Sequence, residues 1–212
     1  MLRAVFGRFF PESLPRVVPA TARHHRAGGG LAQAVRICYR RRNRTGVAAM
    51  TRKLLTTWRE YDEAIREMLA LAPTTLRIFD EDLALLKLED PARLATLRRL
   101  LAARERTPRR DSRLTIVVQN SESVRRHDPQ LIDLLCIHAP DLRIVQAPDH
   151  LASLTDSLLI ADDRHVLVRF ERSQPRARLL IDEPAECAPY LRRFEDIVAE
   201  GGDAMSPTTF GL

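Results

Sequence analysis

Lysine is almost absent from this sequence. Lys53 and Lys87 are the only lysines among the 34 basic residues, which leaves 32 arginines. Because no lysine follows Lys87, a site in residues 88–212 that depends on an ammonium group is excluded. The arginine bias, with abundant Ala, Leu and Pro, is typical of a GC-rich bacterial genome, so we give it no functional weight.

Cysteines and long apolar runs are also scarce. Cys38, Cys136 and Cys187 are odd in number and widely spaced, which argues against a disulfide scaffold and favours a reducing cytoplasm. No apolar run approaches the roughly 20 residues that a helix needs to cross a bilayer. We therefore expect a cytoplasmic protein without membrane contacts.

The positive charge is concentrated at the start of the chain. The formal net charge is +6, and residues 1–49 contain ten arginines and one acid, Glu12, for +9. Residues 50–212 therefore carry 6 − 9 = −3, which argues against a phosphate-binding face there. Nucleic-acid binding is expected, if anywhere, through this basic segment.

Residues 1–49 show no sustained periodicity and contain Gly28–Gly30 and the run Arg40–Arg42. Three interpretations are open: a disordered basic arm, an organellar transit peptide, or sequence upstream of the true start at Met50. Transit peptides are rich in serine, whereas Ser13 is the only serine here. We favour a disordered arm or a wrongly assigned start, followed by a single domain at residues 50–212.

Strand and helix signals alternate through the domain. Capping or proline signals at Thr57, Asp90-Pro91, Asp128-Pro129 and Pro189 predict helices, and a short helical segment is expected at 149–154. On the helix that follows Thr57, Trp58 and Tyr61 begin an apolar stripe that is expected to face the core. Apolar runs predict strands at 76–79, 114–118, 142–145 and 177–181. This order predicts an α/β fold with a mixed, mostly parallel sheet flanked by helices.

The strongest local signal is a hairpin. Two apolar runs, 158–161 and 166–168, flank the polar tetrad Asp162-Asp163-Arg164-His165, the pattern of two antiparallel strands joined by a tight turn. The first run has no polar residue, so we expect its strand to be buried on both faces at the middle of the sheet.

This alternation and hairpin resemble half of a phospholipase-D-like domain. In that superfamily the strand entering the hairpin carries His-x-Lys, then four residues, then Asp; the His attacks phosphorus and the Lys neutralises the phosphoryl oxygens. With Asp162 as the acid, the His position is Thr155 and the Lys position is Ser157. The register with Asp163 places Asp156 and Leu158 there instead. Neither register supplies the nucleophile or the cation.

More narrowly, residues 50–212 are similar to an uncharacterised bacterial family of phospholipase-D-like domains without the motif. The matching features are Leu-Arg-Ile-Phe-Asp at 76–80, Leu-Thr-Ile-Val-Val-Gln at 114–119, the hairpin and the closing segment 207–212. Some relatives are fused to GNAT-type N-acetyltransferases. The resemblance implies a non-catalytic binding or interaction module without a cofactor, a possible homodimer, and an acetyltransferase as a possible partner.

A second enzymatic interpretation places acids at strand ends. Asp80 and Asp82 after a strand are similar to the Asp-x-Asp pair of haloacid-dehalogenase-like phosphatases, with Ser121 ending a second strand and Asp162 as the magnesium ligand. Carboxylates at the carboxyl ends of parallel strands are what such a site requires. That family also needs a later lysine, which this chain lacks, and acids at these positions are ordinary turn and cap residues.

The remaining candidates are weaker. Cys136 and His138 have the spacing of two metal ligands, but without a second pair Cys136 is expected to pack as a small apolar residue. The sequence Arg125-Arg126-His127 is expected to be a solvated loop, and His165 is expected to lie in the hairpin turn.

Overall fold

A computed structural model describes residues 50–72, 74–102 and 113–206. The predicted arm at 1–49 and the closing segment 207–212 lie outside the described residues. Within them the chain forms eight strands and five α-helices. In order these are β1 (Thr51–Leu55), α1 (Trp58–Ala70), β2 (Leu76–Asp80), α2 (Pro91–Ala102), β3 (Leu114–Val118), α3 (Ser121–His127), α4 (Pro129–His138), β4 (Leu142–Gln146), a 3₁₀ turn (Asp149–Leu151), β5 (Ser157–Ala161), β6 (His165–Arg169), β7 (Ala177–Ile181), α5 (Pro184–Ala199) and β8 (Asp203–Ala204).

All eight strands belong to one mixed sheet with the order β1-β7-β6-β5-β2-β3-β4-β8. The α/β fold with helices flanking a mixed sheet is confirmed. Parallel pairing is confined to β2–β3 and β3–β4, and the other five pairings are antiparallel. The expected mostly parallel arrangement therefore holds only for the first half, because short turns rather than crossover helices join β5, β6 and β7.

The predicted hairpin is confirmed at the middle of this sheet. β5 and β6 pair antiparallel from Ser157↔Arg169 to Ala161↔His165, and all ten of their residues are buried. His165, expected in the turn, is instead the first residue of β6 and is buried.

The sheet has a separate apolar core on each face. Alternate strand residues such as Ile78, Leu159 and Leu167 pack with α1 to α4, whereas their neighbours Phe79 and Leu158 pack with α5. This division follows from the two-residue period of a strand, which sends successive side chains to opposite faces.

The predicted capping box of α1 forms at Thr57 and Glu60. The Glu60 N–H donates to Thr57 Oγ1 at 3.2 Å, and Glu60 Oε2 accepts from the Thr56 N–H at 3.0 Å. Trp58, expected on the buried face, is 44% exposed, because it is the first residue of the helix and lies outside the stripe that begins at Tyr61.

Four other features differ from the sequence prediction. β1 was not predicted, since Thr-Arg-Lys-Leu-Leu lacks the alternation of a half-buried strand, yet it pairs with β7 at the edge of the sheet. Residues 125–127, expected to be a solvated loop, are the last turn of α3, which forms because Asn120 Oδ1 caps the Ser123 N–H at 3.0 Å. Helix α5 begins at Pro184 rather than Pro189. Cys136 is exposed on α4 rather than packed.

None of the helices in the described ranges is both long and apolar enough to cross a membrane.

Candidate functional site

Asp80, Ser157 and Arg169 lie in one row across three neighbouring strands. Phe79 pairs with Leu158, which places Asp80 beside Ser157 at the next position, and Ser157 pairs with Arg169. The two-residue period puts all three side chains on the face that α1 covers. The row lies at the carboxyl end of β2, where ligands bind in open α/β sheets.

An ion pair is buried in this row. Arg169 Nη2 lies 3.4 Å from Asp80 Oδ2, and the two side chains are 3% and 2% exposed. Arg169 Nη1 also donates to the Arg172 carbonyl oxygen at 2.8 Å. The buried Nε of Arg169 has no hydrogen-bond partner, so the guanidinium uses only part of its hydrogen-bonding capacity.

Tyr61 of α1 closes the cluster from the helical side. The Arg169 guanidinium carbon lies 5.4 Å from the centroid of its ring, a distance at which a cation is attracted to the ring face. Burial raises the pKa of the Tyr61 phenol to about 12, against the opposing effects of Arg169 and of hydrogen bonds to Ser157 and Arg169. The phenol is therefore protonated at neutral pH and cannot serve as a general base.

Both oxygens of Asp80 are occupied. Oδ2 faces Arg169, and Oδ1 accepts from the Leu83 N–H at 3.0 Å and from the Asp82 N–H at 3.3 Å. These backbone bonds hold the turn that follows β2. The carboxylate thus joins the turn to the central hairpin.

Residues 149–156 are fastened at the same end of the sheet by polar side chains. Gln119 Nε2 donates to the carbonyl oxygens of Leu151 and Leu154, both at 2.9 Å. Asp156 forms a two-pronged pair with Arg193 of α5 at 2.8 and 2.9 Å. The segment is therefore tied both to the end of β3 and to α5.

The structure separates the three positions assigned to the degenerate motif. Ser157 is buried in the row with Asp80 and Arg169, whereas Thr155 is partly exposed just before β5. Asp162 lies past the opposite end of β5, roughly 16 Å from Ser157 at the rise of an extended strand. There its Oδ1 accepts from the backbone N–H groups of Thr74 and Thr75 at 3.2 and 2.7 Å.

The three acids of the alternative magnesium site are separated in the same way. β5 runs antiparallel to β2, so the end of β5 that leads to Asp162 lies beside the start of β2, far from Asp80 and Asp82. Ser121 bonds to Gln146. Among the described residues, no group of three or more His, Cys, Asp or Glu side chains is placed to hold a metal ion.

The histidines of the described ranges have contacts away from the row. His165 Nδ1 accepts from the Asp182 N–H at 3.0 Å, and burial lowers its pKa. His150 lies 3.2 Å from Glu200, and His127 bonds within α3. Nothing in the described part of the chain places an imidazole against Ser157.

Two members of the cluster, Tyr61 and Arg169, were not identified from the sequence. Tyr61 was predicted to face the core, and it is buried. Its contact with the Arg169 guanidinium was not predicted. The signal for Arg169 was available: it ends an otherwise apolar buried run, as Asp80 ends another. Opposite charges that end two buried strands are a reason to look for a pair.

Comparisons with known proteins identify solved structures with a similar fold. No protein-family model matches the chain, and no curated protein matches its sequence. Among solved structures, TrmBL2, an archaeal chromatin protein described with a novel mode of DNA binding, aligns with a TM-score of 0.52 at 14% identity over 71% of this chain. The alignment covers 53% of TrmBL2, so this chain spans about half of its length.

Nuc from Salmonella typhimurium, a phospholipase D family member, aligns with a TM-score of 0.50 at 13% identity. The alignment covers 74% of this chain and 99% of Nuc. NucT from Helicobacter pylori aligns with a TM-score of 0.45 at 11% identity over 72% of this chain and 98% of NucT. The likeness to Nuc shows a phospholipase-D-like fold.

Proposed function

We propose that residues 50–212 form a non-catalytic phospholipase-D-like domain that serves as a binding or interaction module. The observation that carries the proposal is the buried Asp80–Arg169 pair beside Ser157, the residue at the expected lysine position. The two charges pair with each other within the protein instead of facing a substrate.

The chemistry of the row supports this proposal. Covalent catalysis requires a nucleophile with a neighbouring base. Ser157 lies beside the protonated phenol of Tyr61, and a guanidinium such as that of Arg169 carries only hydrogen-bond donors. No described residue in the row therefore activates the Ser157 hydroxyl.

The test is an assay of the purified full chain on bis-p-nitrophenyl phosphate, a generic phosphodiester, and on p-nitrophenyl phosphate with magnesium. The Asp80→Asn variant is the control for the second substrate, since the phosphatase alternative uses Asp80, Asp82 and Asp162. We expect no turnover above that of the buffer. Diester hydrolysis abolished by Ser157→Ala, or monoester hydrolysis abolished by Asp80→Asn, would overturn the proposal.

The resemblance suggests two partners for such a module, a second copy of the chain and an acetyltransferase. Sedimentation equilibrium of the full chain tests the first, and a purely monomeric distribution at the highest attainable concentration would reject it. Co-purification with an acetyltransferase encoded beside the gene tests the second, and its absence from the eluate would reject that partner.

Nucleic-acid binding is the second candidate function. Two segments of the sequence favour it: residues 1–49 at +9, and residues 98–113, where seven arginines against two acids give +5. The described residues together are acidic, with 20 Arg and Lys against 25 Asp and Glu for −5. TrmBL2, with a similar fold, is a DNA-binding protein by its description.

Fluorescence anisotropy with a labelled DNA duplex tests this candidate. Neutralised phosphates make the binding constant fall steeply with salt, so real binding weakens as salt rises. Deletion of residues 1–49 should weaken the binding and reduce its salt dependence, and Arg109→Ser/Arg110→Ser should reduce both further. Binding unchanged by both alterations would reject the candidate.

A further inference from the structure

The α5 side of the sheet changes from apolar to polar toward the amino ends of β2 and β3. Phe79 and Val117 pack in the same core as α5. Two residues earlier, and therefore on the same face, these strands carry Arg77 and Thr115. The parallel register aligns Arg77 with Thr115, and Thr115 with Arg143 of β4. One threonine thus stands between two arginines on three neighbouring strands.

This polar row opens to solvent toward β4. At its inner end Arg77 pairs with Ile160 of β5, which is completely buried in the core with α5. Exposure increases from there, since Arg77 and Thr115 are half-buried and Arg143 is exposed. β8 pairs only with the last two residues of β4, so it does not reach Arg143.

A third guanidinium belongs to Arg113, which lies directly before β3. The strand ladder includes its backbone, because its carbonyl oxygen accepts from the Leu76 N–H at 2.8 Å. The two-residue period therefore places Arg113 on the same face as Thr115. Its side chain is buried, yet its Nη1 has no hydrogen-bond partner. A buried donor without an acceptor is costly, and it marks a position where an anion is welcome.

The acids near these arginines leave donors available. Asp141 Oδ1 lies 3.9 Å from Arg113 Nε, beyond hydrogen-bond distance. Asp163 pairs with Arg77, but its side chain is 52% exposed. Asp162 is turned to the backbone N–H groups that precede β2. In the described ranges no side chain pairs with the Arg143 guanidinium.

We propose that Arg77, Arg113 and Arg143 form, around Thr115, a binding site for a terminal phosphoryl group. At the spacing of neighbouring strands the backbones of Arg77 and Arg143 are about 10 Å apart, so both long side chains reach a group held above Thr115. A guanidinium fork matches phosphate oxygens in a bidentate geometry. The three oxygens of a terminal phosphoryl group use more of these donors than the two of a carboxylate.

This site is separate from the row of Asp80, Ser157 and Arg169. Asp80 points to the other face of the sheet and lies at the carboxyl end of β2. The inference therefore goes beyond the proposed function, and it stands or fails independently of whether the Asp80 row is catalytic.

Amide NMR of the full chain tests the site, with inorganic phosphate as the probe and sodium chloride at equal ionic strength as the reference. We expect saturable shifts of the backbone and arginine side-chain N–H signals of Arg77, Arg113, Thr115 and Arg143. Arg143→Gln removes an exposed charge and should weaken phosphate binding roughly tenfold. Arg192→Gln, an exposed arginine on α5, should leave it unchanged.

Thr115→Val keeps the shape of the side chain and a strand-forming residue, and it should weaken binding by a smaller factor through loss of the hydroxyl. Spectra of all variants that match the wild type away from the site show that they are folded. Shifts equal to those in chloride, or phosphate binding unchanged in both Arg143→Gln and Thr115→Val, would overturn the site.

A DNA duplex without terminal phosphates distinguishes the source of the phosphoryl group. Each backbone phosphate carries one negative charge, so at equal phosphate concentration we expect smaller shifts at Thr115 and Arg143 than with inorganic phosphate. Larger shifts there with the duplex, lost in Arg143→Gln, would overturn the assignment to a terminal phosphoryl group and would make these arginines backbone contacts of a nucleic acid.

Discussion

Arg169 and Asp80 come from strands that are not neighbours, yet their side chains meet across Ser157 with both charges almost completely removed from water. Removing two charges from water costs more than one long contact returns, so such a pair needs additional partners. The Arg172 carbonyl, the Tyr61 ring and the Leu83 N–H provide them.

We predict that either single replacement in this pair destabilises the fold strongly. Arg169→Met leaves the Asp80 carboxylate buried without a counterion and should lower the free energy of unfolding by about 3 kcal/mol. Asp80→Asn should act similarly, whereas the double replacement should cost less than the sum. Urea denaturation measures all three.

The control for that experiment is the exposed Arg126–Glu122 pair on α3, at 67% and 78% exposure. Glu122→Gln should change stability by less than about 0.5 kcal/mol. Strict additivity of Asp80→Asn and Arg169→Met would contradict a coupled pair.

A lysine at the expected lysine position of the motif should destabilise the fold. Ser157→Lys places a second cation beside Arg169 and should lower the free energy of unfolding by about 2 to 4 kcal/mol. In the Arg169→Met background the new ammonium can pair with Asp80, so the penalty should shrink. An equal penalty in both backgrounds, measured by thermal unfolding, would show that Arg169 is not its cause.

Tyr61 should remain un-ionised where ordinary phenols titrate. Since its pKa is raised to about 12, the phenolate absorbance of the wild type between about pH 9 and about pH 11 should equal that of Tyr61→Phe. The same variant should lose about 1 kcal/mol of stability with its hydrogen bonds. A larger phenolate signal in the wild type would mean that Tyr61 is not buried in this way.

His165 should make stability depend on pH in the acidic range. Its pKa is lowered from 6.5 by burial, so the folded state binds the proton less well than the unfolded chain. Its contribution is complete above pH 6.5 and is lost as the pH falls through the folded pKa. The wild type should therefore lose more stability than His165→Asn between neutral and acidic pH, in urea titrations at each pH.

His150, largely exposed beside Glu200, is the matched control for that measurement. His150→Asn should keep the wild-type response. If it removes the response as fully as His165→Asn, the assignment to the buried imidazole is wrong.

Several elements were predictable because their signals are local. The hairpin needs only two apolar runs and a polar turn, and β3 and β7 have the predicted bounds. Thr57 and Asp90 cap their helices through contacts within three residues. β1 was missed because an edge strand with one buried residue has almost no pattern of its own.

The residue types alone determined that no lysine serves a site in residues 88–212 and that the assigned motif positions hold Thr155 and Ser157, because these are facts of identity and spacing. Only the tertiary structure decided that Asp162 lies at the opposite end of β5 from Ser157, and that Arg169 and Asp80 meet beside it. The physical reason is strand pairing: direction and register bring together residues 89 positions apart, and no local preference encodes either one.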